Sequence, residues 1–335
     1  MLKYEVAMND LLQLEPVITS DEIVAGPAIS GDSSFMSANT EVISEYDLRS
    51  KCIIPVFCKD NESTISHPEF MEAVIYAAQG FFKRESFLQP AVRVSHPIKG
   101  RIPSAIGKPV EQLREDEKTV YYERMAFVVE VPSIRDTVNG NELSLAIGGV
   151  RAYHLDNLSG RKAEERFKVF IGFKNKVCVN LCIWTDGFKS EIRARSVSEI
   201  VQESFSLFSS FRPEYQLESM GSFGDYSLSE HQFAQLIGRS RLYQYLPVRV
   251  KKEIQQVIPL SDCQISTVAK DYYSDKSFCR DADGNIDLWR VYNLFTRANK
   301  SSYIDTFLDR GVAATSFIGS LQNALKSDSE HWFLS

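Results

Sequence analysis

The spacing of apolar and polar residues changes period twice along the chain. Between residues 91 and 196 the runs AVRVS, RMAFVVEVP, LSLAIGGVRAYH, RFKVFIGF, KVCVNLCIW and SEIRARSV are rich in Val, Ile and Phe. Several of them repeat every two residues, as half-buried strands do. In SEIRARS, Ile192 and Ala194 fall on one face while Arg193 and Arg195 fall on the other. VNGNE (Val138 to Glu142) and FKNK (Phe173 to Lys176) place turn-forming residues between such runs and predict tight reversals. The segment therefore predicts a mainly antiparallel sheet. Read as strand, KVCVNLCIW puts Cys178, Asn180 and Cys182 on one face, and Val177, Val179, Leu181 and Ile183 on the other. An amide at Asn180 on a buried face would need hydrogen-bond partners there, and so would fix register or bind.

On both sides of this segment the period is helical. In SHPEFMEAVIYAAQGFF, Pro68 sits in a first turn and Phe70, Val74, Ala77, Ala78 and Phe81 form an apolar face that closes near Gly80. After residue 197, Ser196 with Glu199 and Ser227 with Glu230 read as capping boxes. Pro247 starts a helix through VKKEIQQVI, Ser261 caps DCQISTVAKDYY, and Ser302 caps toward Asp305 ahead of a long stripe from Ile304 to Leu325. Five or six helices are expected in that part. The first 50 residues are polar and acidic and read as a partly ordered arm, followed by a strand-like CIIPVF (Cys52 to Phe57) whose proline marks an edge. The expected organisation is an arm at 1–50, a strand-rich segment with one helix at 51–196 and a helical segment at 197–335. The fold class is α+β, a mainly antiparallel sheet in the middle of the chain with a C-terminal helical layer.

Composition supports a folded chain: of 335 residues, 44% are hydrophobic and 24% charged. The start carries acidic residues and lacks a basic flank ahead of an apolar stretch, so neither a signal nor a transit sequence is read there. No apolar run reaches the ~18 residues of a bilayer span, and a cytoplasmic location without membrane contact is expected. The six cysteines are expected to be free thiols in that setting. The net charge of −6 argues against a whole-protein polyanion binder. The charge is uneven, however: −8 over residues 1–90, +5 over 91–196 and −3 over 197–335.

The basic residues define the candidate contacts for an anionic partner. RVSHPIKGRIPSAIGK holds Arg93, His96, Lys99, Arg101 and Lys108 with Gly100 and Gly107 interleaved, without the spacing of a P-loop. It reads either as a phosphate cradle or as a solvated connection. GRSRLYQYLPVRVKK carries Arg239, Arg241, Arg249, Lys251 and Lys252 with Tyr243 and Tyr245, a mixture suited to single-stranded nucleic acid or to an amphipathic helix with buried tyrosines.

RDADGNIDLWRVYNLFT begins like a calcium loop with Gly284 sixth, but Cys279 and Arg290 stand where carboxylates belong. Asp283-Gly284 is then a turn and Asp287 a helix cap. Asn293, Thr296, Asn299 and Lys300 form a polar stripe leading to Ser302, which suits either an anion site or an inter-helix corner. No cofactor, metal or catalytic motif is read. Of the five histidines none has a base role assigned by spacing.

Several of these strings resemble a Bacteroidetes family known as domain of unknown function 3871. They are IIPVFCKDN, SHPIKGRIPSAIGKP, EKTVYYERMAF, GGVRAYHLDNL, FKVFIGFKNKVCVNLCIWTDG, QFAQLIGRSRLYQYLP and DGNIDLWRVYNLFTRANKSSYIDTFLDR, collinear over about residues 35–335. KVCVN and WRVYNLFT are also similar to a broader phage- and plasmid-associated family. The resemblance implies a mobile-element setting and assigns no catalytic residue. The expected function is a non-enzymatic protein associated with single-stranded nucleic acid. One alternative is an enzyme for a nucleotide or small anion, built from His96, Arg101, Tyr121 and Asp186. Another is a module docking on host proteins, whose partners the sequence leaves unknown.

Overall fold

Long runs of β-branched and aromatic residues extend as strands because each can bury one or both faces of the pleat. The computed structural model describes residues 34–50, 52, 64–156, 164–254 and 256–334. The arm before residue 34 and the CIIPVF strand beyond Cys52 lie outside these residues. Strands β1 (Glu41–Val42) and β2 (Ala91–Val94) precede a hairpin of β3 (Pro97–Arg101) and β4 (Lys118–Tyr122). The long strands follow: β5 (Arg124–Val138), β6 (Asn141–Ala152) and β7 (Glu165–Asn175), then β8 (Leu181–Cys182) and β9 (Phe188–Ala194). The main sheet runs β1-β2-β5-β6-β7-β8, with β9 also on β7, and every pairing is antiparallel. Asn139 and Gly140 reverse the chain between β5 and β6 with φ of 48° and 76°, the left-handed pair that a two-residue hairpin requires.

Both faces of the sheet are covered. Met125, Phe127, Val129, Leu145, Ile147, Phe167, Val169 and Ile171 point to one face and join the main core. Helix α1 (Glu45–Ser50) is short; α2 (His67–Phe81) lays Phe70 on this face, 5.6 Å from the Phe127 ring and 4.9 Å from the Phe167 ring. Gly149 leaves room for that approach, since a Cβ there would stand 2.6 Å from Phe70. Ala126, Val128, Ala146, Val150 and Phe170 point to the other face and meet Phe35, Met36 and the start of the last helix.

Among the described residues seven helices follow the sheet, one more than expected: α3 (Val197–Ser210), α4 (Pro213–Phe223), α5 (Glu230–Tyr245), α6 (Val248–Glu253), α7 (Asp262–Ser274), α8 (Leu288–Asn299) and α9 (Ile304–Ser327). A small ladder of β10 (Ser227–Leu228) and β11 (Ile286–Asp287) aligns the starts of α5 and α8. The unforeseen helix is α4, whose Ser- and Gly-rich sequence buries only Gln216, Met220 and Phe223.

Ser66 adds a capping box to α2 that the sequence reading did not name, and caps at Ser196, Ser261 and Asp287 fall where the sequence put them. Two do not. Ser229 with Gln232 caps α5, because Ser227 is drawn into β10. Ser302 donates to Asn299 Oδ1 at 2.7 Å instead of capping α9. The five described cysteines form no disulfide.

Candidate functional site

The polar stripe on α8 turns inward. Asn293, Thr296, Asn299 and Ser302 are all buried. Asn293 Nδ2 donates to Trp289 O at 2.9 Å, and its Oδ1 accepts from Asn175 Nδ2 at 3.1 Å. Asn180 Nδ2 donates to Asn293 O at 3.0 Å. Here the strand expected over KVCVNLCIW gives way to a loop. Val179 takes φ 57°, and only Leu181 and Cys182 pair with β7. That kink lets Asn175 and Asn180 converge on α8, which an unbroken strand would prevent by alternation.

At the other end of the stripe Thr296 bonds Tyr292 O, Asn299 bonds Phe307 O at 3.0 Å, and Gln264 of α7 donates to Ser302 Oγ at 2.9 Å. Arg310 reaches both Gln264 Oε1 and Ser302 Oγ. Lys300 donates through its Nζ to Cys178 O and accepts at its own carbonyl from Ser37 and Ala38 N–H. These side chains join the sheet, α7, α8, α9 and the segment at 37–38 into one corner.

Most of the described basic residues between 91 and 196 pair within the chain. Arg93 donates to Thr40, Arg101 to Lys108 O, and Lys108 and Arg114 hold the buried Glu117. Lys168 pairs with Asp309, Lys174 with Glu130, Lys189 with Glu203 and Arg166 with Glu191. Lys99 lies exposed on β3. His96, Arg101, Tyr121 and Asp186 do not converge: His96 faces Glu41, while Asp186 accepts from Gln216 of α4.

At the end of α5 the picture differs. Tyr243 is buried under Lys251, whose Nζ lies 5.2 Å from the ring and donates to Gln244 O, and Arg239 lies 5.0 Å from the Trp332 ring. Tyr245, by contrast, is 78% exposed, and Leu242 on α5, Val248 and Val250 on α6 and Val257 beyond it are exposed as well. Arg241, paired with Asp262 at 2.8 Å, lies one helical turn before it, and exposed Arg249, 3.7 Å from Glu253, and exposed Lys252 follow on α6. The aborted calcium loop presents no such surface. Arg290 reaches Asp281 at 2.6 Å and Asp287 at 3.0 Å, so a guanidinium sits against the carboxylates that a cation would use.

A second polar cluster, which sequence reasoning missed, lies where β5 begins and β6 ends. Arg151 is wholly buried, with its guanidinium 4.6 Å from the Tyr153 ring and 4.4 Å from the Phe167 ring. Its Nη2 donates to Glu165 and, at 3.3 Å, to Asp156. His67, at the start of α2, is equally buried, lies with its ring 4.5 Å from that of Tyr153 and tilted by 33°, and approaches Tyr122 O to 2.7 Å through Nε2. The sequence signal was available: a single Arg inside the apolar run AIGGVRAY needs a buried partner.

Burial, assisted by the Arg151 charge, pushes His67 down to about 3. Burial outweighs Arg151 at Asp156 and raises that carboxyl to about 6. The two shifts oppose each other in acid. Neutral His67 favours the fold above pH ~6.5 and the advantage fades as pH falls toward 3, because the unfolded chain takes up the proton first. Asp156 acts the other way: the fold prefers its protonated form, so stability rises as pH falls from about 6 toward 4. We expect Asp156→Asn to remove the compensation. Urea titrations should then show a steeper loss of stability from pH 6.5 to 4 than in the parent chain, and equal slopes would count against it.

Comparison of the chain with curated proteins and with solved structures gives no match. At the level of families the assignment is direct: the model described as "Domain of unknown function, B. Theta Gene description (DUF3871)" matches residues 18–334, and the chain belongs to that family.

Proposed function

We propose that this protein binds single-stranded nucleic acid non-enzymatically, in the cytoplasm and in the service of a mobile element, through the surface at the end of α5 and along α6. The observation that carries the reading is Tyr245, 78% exposed, with Arg241 one turn before it on α5 and exposed Arg249 and Lys252 on α6. An exposed ring offers a face on which a base stacks, and the cations track the phosphates on either side. Asp262 and Glu253 offset two of those cations, so few phosphates are neutralised. For about two phosphates the slope of log K against log salt on a single strand would be shallow, near −1.4.

Arg239, Lys251, Arg93, Lys99 and Arg101 lend at most background charge to this surface. The corner residues Asn293, Thr296, Asn299, Lys300 and Ser302 are bonded internally and support it only by fixing α8 and α9.

The test is anisotropy of a fluorescent single-stranded oligonucleotide at two salt concentrations. Tyr245→Ala should weaken binding by about 1–3 kcal/mol, the usual worth of one stacked base, without changing the unfolding midpoint. Absence of salt-sensitive binding at low ionic strength overturns the proposal. The five exposed apolar side chains Leu242, Tyr245, Val248, Val250 and Val257 favour a protein-docking surface as the second reading.

A further inference from the structure

The surface formed by the end of α5 and by α6 is both apolar and cationic. Leu242, Tyr245, Val248, Val250 and Val257 are exposed, and the stretch from Gly238 to Glu253 holds five Arg or Lys residues against one carboxylate. An occupant has to match both properties, since exposed ion pairs are individually weak and apolar contact supplies most of the affinity.

Residues 1–33, which lie outside the described residues, have the complementary composition. They set Glu5, Asp10, Glu15, Asp21, Glu22 and Asp32 against the lone Lys3. Leu2, Tyr4, Val6, Leu11, Leu12 and Leu14 are interleaved with the first three carboxylates.

The chain also enters the described structure on the side of that surface. Ser37 and Ala38 N–H donate to Lys300 O at 2.8 and 3.0 Å. Gln264 of α7 donates to Ala298 O and to Ser301 Oγ, each at 3.1 Å. Asp262, two residues before Gln264, pairs with Arg241 at 2.8 Å. A continuous series of bonded residues thus leads from Ala38 to Arg241. A chain of 33 residues spans up to about 110 Å when extended, far more than that path. Tethering also raises local concentration to the order of millimolar, so weak contacts suffice for an occupant that belongs to the same chain.

We propose that segment 1–33 docks on the α5–α6 surface of its own chain, its apolar side chains on Leu242, Tyr245 and Val248 and its carboxylates toward Arg249 and Lys252. Docked there, it is an acidic competitor for the ring and cations assigned above to single-stranded nucleic acid; this consequence, unlike the docking, rests on that reading.

The test places a photoreactive group on the surface of the full chain, as Leu242→p-benzoylphenylalanine. Irradiation should join residue 242 to peptides from residues 1–33 in a species of monomer mass. Combining Glu5→Gln, Asp10→Asn and Glu15→Gln should lower that yield by about threefold or more, as three exposed ion pairs are lost. Crosslinks that form only between two chains, or that never reach residues 1–33, overturn the docking. The same triple substitution without the photoreactive group should bind a single-stranded oligonucleotide about threefold more tightly than the parent chain. A crosslink as expected with no oligonucleotide bound by either chain upholds the docking and removes the nucleic-acid reading. Equal oligonucleotide affinity in the two chains, with the crosslink lost in the triple variant, overturns the competition.

Discussion

Arg151→Ala is expected to cost the protein about 3–5 kcal/mol, the range seen when one partner of a buried ion cluster is removed. The reason is what remains. Asp156 and Glu165 would keep two carboxylates on a site without its cation, and Tyr153 and Phe167 would lose the planar group that fills the space between them. Glu165 would retain only its bond from Ile65 N, and Asp156 its bond from Arg166 N. Denaturant unfolding followed by tryptophan fluorescence gives the free energy directly. A loss below about 1 kcal/mol would mean that the cluster relaxes into solvent, and the account of a sealed polar core at this end of the sheet would fail.

Asn293→Ala is the second large effect, expected at about 2–3 kcal/mol. Asn293 is a hub: its amide holds its own helix at Trp289 O while its carbonyl oxygen holds Asn175 of β7. Truncation strands the Asn175 amide in a buried position, at about 1–3 kcal/mol for the unmade bond, and opens space for a side chain of that size. Asn180 keeps its partner, the Asn293 main-chain oxygen, so the loop at Cys178–Asn180 should persist. Asn180→Ala should therefore add to Asn293→Ala with less coupling than Asn175→Ala does, which a double-mutant cycle measures.

The strands at 91–194 were legible because their apolar repeats are long and two-residue periodic, and Asn139-Gly140 marks its hairpin without help from tertiary structure. The β3–β4 hairpin was not legible. Pro97 and Gly100 break the strand pattern in sequence, and Gly100 is needed because a Cβ there would meet Thr119 Oγ1 at 2.7 Å. Val179 was read as strand from its β-branched neighbours, but its left-handed conformation is imposed by the asparagines that reach α8. Such long-range demands leave no local trace. The polar stripe of α8 was visible; the side chains it bonds, Gln264, Arg310 and Asn175, were not, because they are distant in sequence. Arg151 did leave a local trace, an Arg inside an apolar run, but its partners did not, since they come from α2, β7 and the turn after β6.

Lys300 joins residues that the ribosome delivers far apart in time. Its carbonyl accepts from Ser37 and Ala38, and its ammonium reaches Cys178 O. At about 5–20 residues per second, the ~260 residues between Ala38 and Lys300 take roughly 13–50 s to synthesise. From the completion of β9 at Ala194 to the arrival of Leu308, about 114 residues or roughly 6–23 s, the sheet face carrying Ala126, Val128, Val150 and Phe170 lacks Ile304, Phe307 and Leu308, which cover it in the finished fold. A nascent chain with its sheet complete and α9 still unmade would display that apolar face to the cell, so holdase chaperones have their opening on this protein late in translation.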